Sequence, residues 1–316
     1  MACRRFLFVI LMSSSCLAAA DEILISRPAA AQAALTFGEG YTQLFGESNL
    51  RLHGDGKRVH ISLDERTGSG FASQRAYLHG LFSASIKLPS ADYTAGVVVA
   101  FYMSNGGVYE KTHDELDFEF LGNVKGKGWR VQTNVYGDGS TALGREERYG
   151  RLWFDPTQDF HRYAILWTNN TIVFYIDATP IREVVRNELM GAQFPSKPMS
   201  VYATIWDGSS WATSGGRYKV DYSYAPYVAQ FTDLMLQPAA DHDARPRETM
   251  MVSPAQRAAM ERVRARHLTY GYCYDRARYP APLPECRVGA EAAMYLPSGQ
   301  ARSRRNGKRH RRAGGV

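Results

Sequence analysis

The residues best equipped for chemistry are Glu115, Asp117 and Glu119, set within His113-Asp114-Glu115-Leu116-Asp117-Phe118-Glu119-Phe120. Side-chain character in this octet alternates with a period of two, the signature of a half-buried strand. His113 and the three acids then share one face. Leu116, Phe118 and Phe120 share the other with Asp114 and anchor the strand in a core. Carboxylates repeated along one strand face repel one another and offset strand propensity, so folding alone gives little reason to place them there. A local conflict of this kind marks a working site.

Strand rise sets the Cα atoms of Glu115 and Glu119 roughly 13 Å apart, and side chains of about 3.5–4 Å reach that lean inwards bring the carboxyls to about 5–6 Å. Retaining glycosidases, in which one carboxylate attacks the sugar and the other protonates the leaving oxygen, work at roughly 5–5.5 Å; inverting enzymes leave about 6.5–9.5 Å for a water. Asp117, between the two, can hold a hydrogen bond or a proton to one of them. Crowding of like charges pushes pKa values apart, so that one carboxyl stays protonated as acid while another ionises as nucleophile. A solvated acidic face would not explain the aromatic residues opposite, and a calcium site wants loop oxygens with Gly or Asn spacing. The chemistry asks for no metal and no cofactor.

The surrounding elements read as short strands. Val59–Leu63, Leu81–Leu88 and Gly96–Met103 are apolar runs broken by Gly, Asp and Asn, a spacing that predicts an all-β sandwich. Thr67-Gly68-Ser69-Gly70 has no helix pattern after it and reads as a turn rather than a phosphate loop. Trp129–Tyr136 alternates again and puts Arg130, Gln132 and Asn134 on one face, where amides and a guanidinium can grip sugar hydroxyls or simply face solvent. Gly137–Gly144 reads as a flexible loop. Tyr163–Trp167 and Thr171–Asp177 form a predicted hairpin joined through Thr168-Asn169-Asn170, and Asn169 opens a glycosylation sequon with Thr171. Aromatic residues gather between Met199 and Tyr227. The segment Trp206–Trp211 is too polar for a buried strand, so Trp211 is expected to face a cleft and to offer a flat apolar platform to a sugar ring, with core packing as the competing reading.

The first twenty residues read as a signal peptide: Arg4 and Arg5, an apolar Phe6–Leu17, and Ala18-Ala19-Ala20 before a cleavage point. That apolar run is too short to span a bilayer, so a soluble, secreted chain is expected, with no membrane association. The formal charge of +7 is unevenly placed: without Arg4, Arg5 and the seven basic residues from Arg302 onward the body carries −2. A nucleic-acid partner therefore has no support, and the basic tail would instead hold an anionic polysaccharide. Cys3 and Cys16 leave with the signal segment, and secretion favours joining the remaining pair, Cys273 and Cys286. Ser253-Pro254-Ala255-Gln256 predicts a helix start, with the helix running to about His267. The expected layout is a signal peptide at 1–20, a β domain at 21–236, a disulfide-closed extension at 237–290 packed on the sandwich and lengthening its groove, and a disordered basic tail at 291–316.

Together these motifs resemble the plant xyloglucan endotransglucosylase/hydrolases of glycoside hydrolase family 16. The resemblance spans about Phe37 to Cys286 and rests on Thr67–Phe71, His113–Gly122, Leu152–Pro156, Trp211-Ala212-Thr213 with Gly215-Gly216, and Tyr272-Cys273 with Pro284-Glu285-Cys286. It implies a curved β-jelly-roll sandwich similar to legume lectins, with a short helix-containing extension. It also implies Glu115 as nucleophile, Glu119 as acid/base and Asp117 as the helper between them. Sugar contacts are implied at Gln132, Thr133, Asn134, Arg145, Glu146, Trp211, Gly216 and Arg278, and His113 joins them from its place on the acid face. The basic tail and the Gly139–Arg148 loop resemble the family's third group and its transferase-type branch. The expectation is a monomeric, secreted enzyme of the cell wall that cuts xyloglucan and rejoins it to another chain. Two competing readings are a mainly hydrolytic xyloglucanase, told apart by reducing-end release, and a silent wall lectin, which would have no use for the three acids together.

Overall fold

The protein is described as a computed structural model covering residues 34–139, 144–239 and 252–302. The signal segment, most of the 237–249 linker and the basic tail beyond Arg302 lie outside the described residues. In chain order the strands are β1 (Tyr41–Phe45), β2 (Leu50–His53), β3 (Arg58–Leu63), β4 (Ser69–Ser73), β5 (Gly80–Lys87), β6 (Val97–Ser104), β7 (Glu115–Leu121), β8 (Arg130–Tyr136), β9 (Glu147–Tyr149), β10 (His161–Trp167), β11 (Thr171–Ile176), β12 (Thr179–Val185), β13 (Ser200–Asp207), β14 (Tyr227–Pro238), β15 (Leu268–Asp275) and β16 (Ser298–Gln300). A four-residue α1 (Phe37–Gly40) precedes them, and α2 (Pro254–His267) lies between β14 and β15.

Among the described residues, nine strands form one antiparallel sheet in the order β1-β4-β13-β6-β7-β8-β9-β15-β16, and seven form the other in the order β12-β11-β10-β5-β14-β3-β2. This is the two-sheet jelly roll expected. The carboxylate strand β7 lies at the centre of the larger sheet, between β6 and β8. Its inward residues Leu116, Phe118 and Phe120 are fully buried. Phe118 meets Tyr163 and Phe174 of the facing sheet edge-on, with centroids 5.6 and 5.2 Å away, and Phe120 meets Tyr163 at 4.6 Å. Each such buried side chain contributes about 1.5–3 kcal/mol, which offsets the cost of holding three acids on the opposite face.

Asp114, immediately before β7, is also buried. Its Oδ2 accepts from the backbone N–H groups of Ser196 and Lys197 at 2.8 and 2.9 Å, and its Oδ1 faces the Lys197 ammonium at 2.7 Å. The carboxylate thereby pins the entry to the acid strand.

Several expectations change. Ser69 and Gly70, read as part of a turn, begin β4 in the interior of the large sheet; a Cβ at Gly68 would come 2.0 Å from the Ile205 carbonyl oxygen, so glycine is required by close backbone approach. The extension does more than pack on the sandwich, because β15 pairs with β9 and continues the sheet. Nor does order stop at Ala290: β16 pairs with β15, so the described chain continues to Arg302. A three-residue strand is too short to declare itself by periodicity.

Helix α2 begins as its sequence predicts. The Ser253 hydroxyl accepts from the Gln256 N–H at 3.2 Å and the Gln256 side chain accepts from the Ser253 N–H at 3.0 Å, a reciprocal cap, with Pro254 at the first position. Behind the large sheet, Arg264 of α2 forms two bonds to Glu147 of β9 at 2.5 and 2.6 Å. Cys273 and Cys286 are joined, with Cα atoms 5.5 Å apart. No helix among the described residues is long and apolar enough to cross a membrane.

Candidate active site

Extended backbone puts Glu115, Asp117 and Glu119 on the outward face of β7, and pairing register supplies their neighbours. Glu119 lies opposite Gln132, Asp117 opposite Asn134, and Glu115 opposite Tyr136 of β8. On the other side Glu119 faces Ala100, Asp117 faces Tyr102 and Glu115 faces Ser104 of β6. The Gln132 Nε2 donates to Glu119 Oε2 at 2.7 Å, and the Arg148 Nε donates to Gln132 Oε1 at 2.7 Å. Arg148 also donates to Glu146 at 2.8 Å, and its guanidinium lies over the Tyr270 ring at 4.9 Å. A polar chain therefore runs from the acid across β8 and β9 towards the extension.

Electrostatics separate the three carboxyls. Burial pushes Glu119 up to about 7; the bond from Gln132 works against that shift, Glu146 and Glu115 add to it, and Arg148 opposes it. Burial also raises Glu115, but a hydrogen bond with Ser104 and the nearby His113 counteract it. Asp117 is held well above the ordinary carboxylate range by burial and then by the two glutamates, against the Arg182 cation on the far side of the sheet. Such a set can keep a proton at one carboxyl while another is ionised.

The expected sugar contacts divide. Gln132 and Asn134 lie on the acid face, with Asn134 Oδ1 also accepting from the Val135 N–H. Glu146 joins Arg148 there, and Arg278, beside the Tyr279 ring, approaches it at 3.8 Å. His113 stands just before β7 beside Tyr136, centroids 6.3 Å apart. Trp211 packs on Trp206 at 5.9 Å and caps the apolar patch of Val98 and Leu121 next to the acid row. Gly216 turns the loop that carries Trp211; its φ is +81°, and a Cβ there would meet the Ser210 carbonyl oxygen at 2.2 Å.

Thr133 and Arg145 do not fit the role implied for them. Thr133 lies opposite Phe118, on the core side of β8, and its hydroxyl accepts from buried Arg182 at 2.9 Å. The period of two already places it on the wrong face for sugar. Arg145 is fully buried, in an ion pair with Glu285 and a 2.7 Å bond to Gln193. It ties the β9 approach to the extension. The acid face instead recruits Arg148, Tyr102, Tyr202 and Ser104. Tyr202 belongs to the aromatic concentration read from sequence, but Arg148 sits in a strand of three residues, where no period can be read.

Among known proteins, the profile of Glycosyl hydrolases family 16 matches residues 37–224, and that of the xyloglucan endo-transglycosylase (XET) C-terminus matches residues 241–286. The chain is 60% identical over 292 residues to "Probable xyloglucan endotransglucosylase/hydrolase protein 27" of Arabidopsis thaliana, covering 86% of this chain and 87% of that one. It is 42% identical to "Xyloglucan endotransglucosylase/hydrolase protein 2" of the same organism, covering 80% and 89%. Of solved structures, a Crh5 transglycosylase in complex with NAG is similar with a TM-score of 0.50 at 24% identity, covering 64% of this chain and 79% of that one. A prokaryotic beta-1,3-1,4-glucanase (lichenase) derived from a mouse hindgut metagenome matches with a TM-score of 0.50 at 20% identity, covering 64% and 94%. The two structures share its fold.

Proposed function

The chain belongs to the xyloglucan endotransglucosylase/hydrolase family within glycosyl hydrolases family 16, and from that premise we propose that it is a secreted endotransglucosylase that cuts the β-1,4-glucan backbone of xyloglucan and rejoins it to another xyloglucan chain in the plant cell wall. The observation that carries the reading is the outward row Glu115-Asp117-Glu119 with Glu119 pushed up to about 7, so that it keeps its proton in a mildly acidic wall.

In the first step a Glu115 carboxylate oxygen bonds to the anomeric carbon. The bond from that carbon to the glycosidic oxygen breaks with its electron pair on oxygen, which takes the Glu119 proton. Asp117, whose carboxyl burial and the two flanking glutamates hold well above the ordinary carboxylate range, keeps its proton and so limits the negative charge on the strand. In the second step the 4-hydroxyl of an acceptor chain gives its proton to Glu119 while its oxygen displaces Glu115, and configuration is retained. Transfer outruns hydrolysis when an acceptor held by the Glu146, Arg148 and Arg278 side of the face occupies the space that water would take. The enzyme works as a monomer, and its basic tail holds it on anionic wall polysaccharide.

The test is purified protein on xyloglucan with and without a labelled oligosaccharide acceptor. Label should enter long chains with few new reducing ends, and Glu115→Ala should abolish both products. Reducing-end release without label incorporation would make the protein a hydrolase, and binding without either product would make it a lectin.

A further inference from the structure

Residues paired directly across neighbouring strands project on the same face, so the acid row can be followed away from the extension. Glu119 faces Ala100, Ala100 faces Thr204, Thr204 faces Gly70, and Gly70 faces Phe45 on the edge strand β1. A register shift between Gln43 and Phe45 brings Phe45 into that row, the re-aiming that a bulge produces. The Phe45 ring leans over Gly70, where an added Cβ would come within 2.9 Å of its Cε1 atom.

Ala100 and Thr204 point outward yet are only 6% and 5% exposed. Larger side chains therefore rise on both sides of them. Two positions along the strands one way stand Tyr102 and Tyr202, with rings stacked 5.0 Å apart. Two positions the other way stand Val98 and Trp206. The outcome is a trough with a small-residue floor, Glu119 at one end and Phe45 at the other, four strand spacings or roughly 19 Å apart. Phe45 keeps 38% of its surface exposed at the end of this trough, on an edge strand where an open aromatic ring is otherwise a liability.

We propose that Phe45 forms a remote sugar subsite, an apolar platform for the C–H face of a glucosyl ring several units from the bond being cut. This rests on the glucan-transfer reading above. A chain lying across the strands would contact small residues for most of the distance and then meet one flat ring, so the subsite rewards length of backbone rather than chemistry at the cleavage point. Aromatic contacts of this kind act on binding and leave the reacting carboxyls untouched.

The experiment measures kcat and KM for xyloglucan oligosaccharide donors of stepwise longer backbone, with one labelled acceptor, for the wild type, Phe45→Ala, Phe45→Leu and Phe45→Tyr. In the wild type KM should drop once the backbone can reach from Glu119 to Phe45. Phe45→Ala should lose about tenfold of that drop with kcat for the long donor kept, Phe45→Leu should lose most of it despite retaining apolar bulk, and Phe45→Tyr should restore it. A drop in KM that survives intact in Phe45→Ala or in Phe45→Leu overturns the inference alone. A wild type that turns over no donor of any length fails the glucan reading and takes this inference with it.

Discussion

Gln132 donates from its amide Nε2 to the Glu119 carboxylate across 2.7 Å, while its Oε1 accepts from Arg148 on the next strand. The amide is thus held in one orientation, and the acid is tuned by a residue that never needs to touch the scissile oxygen. Hydrogen bonding to the charged form lowers a carboxyl pKa, so Gln132 and Arg148 keep Glu119 from rising further than burial alone would take it.

The pH profile should follow from that arrangement. A general acid with a pKa of about 7 is protonated below that value, so kcat/KM should fall as pH rises through about 7. The acidic limb should belong to Glu115, whose value is raised above its ordinary 4.5. Gln132→Leu removes a bond to the ionised form, and its basic limb should move to higher pH. A limb that stays in place, or moves down, would show that Gln132 does not tune the acid.

Arg264 and Glu147 should matter for stability. Burial pushes the Glu147 carboxyl up, but the Arg264 and Arg182 cations and the bonds from Arg264 and Tyr149 overcome it and leave the group below its ordinary 4.5. A carboxyl depressed in the folded state contributes stability above its unfolded pKa, and that contribution is lost as pH falls through the folded value. Arg264→Met leaves the buried carboxylate unpaired and should cost about 3–5 kcal/mol in urea unfolding at neutral pH, whereas Arg264→Met with Glu147→Gln should recover much of the loss. A single variant as stable as the parent would refute the pairing.

Truncation should separate the tail from the fold. Removing everything after Ala290 would delete β16, which pairs with β15, so a loss of stability is expected there. Removing only the residues after Arg302 should leave thermal stability unchanged and weaken salt-dependent binding to pectin. Unchanged binding would dismiss the tail as a wall anchor.

Asn169 is exposed at the turn between β10 and β11, its Oδ1 accepting from Arg186 at 2.8 Å. A glycan there would extend into solvent. Intact mass of protein secreted from a plant host should fall by one glycan in Asn169→Gln; identical masses would leave the sequon unused.

Much of the site was legible because side-chain direction along an extended strand is a local property. Alternation in 113–120 puts Glu115, Asp117 and Glu119 on one face of their strand, and alternation in 129–136 puts Gln132 and Asn134 on one face of theirs and separates Thr133 from them; the pairing of β7 with β8 then brings the two sets together. Ser253-Pro254-Ala255-Gln256 likewise announced its helix, because capping needs only neighbours within one turn. Gly70 reads as part of a turn in the sequence because its real requirement, room beneath Phe45 and beside Thr204, comes from distant strands.

What the sequence by itself determined is therefore the acid strand, its outward face and the class of reaction those acids can perform, all set by a period of two. The tertiary structure alone decided which groups those acids meet. Arg145, implied as a sugar contact, is instead buried in an ion pair with Glu285, far along the chain, and Arg148 reaches Gln132, and through it the acid, only because β8 and β9 pair in one register. Periodicity reports the direction in which a side chain points; contacts between strands depend on register, and register is chosen by the packing of both sheets together.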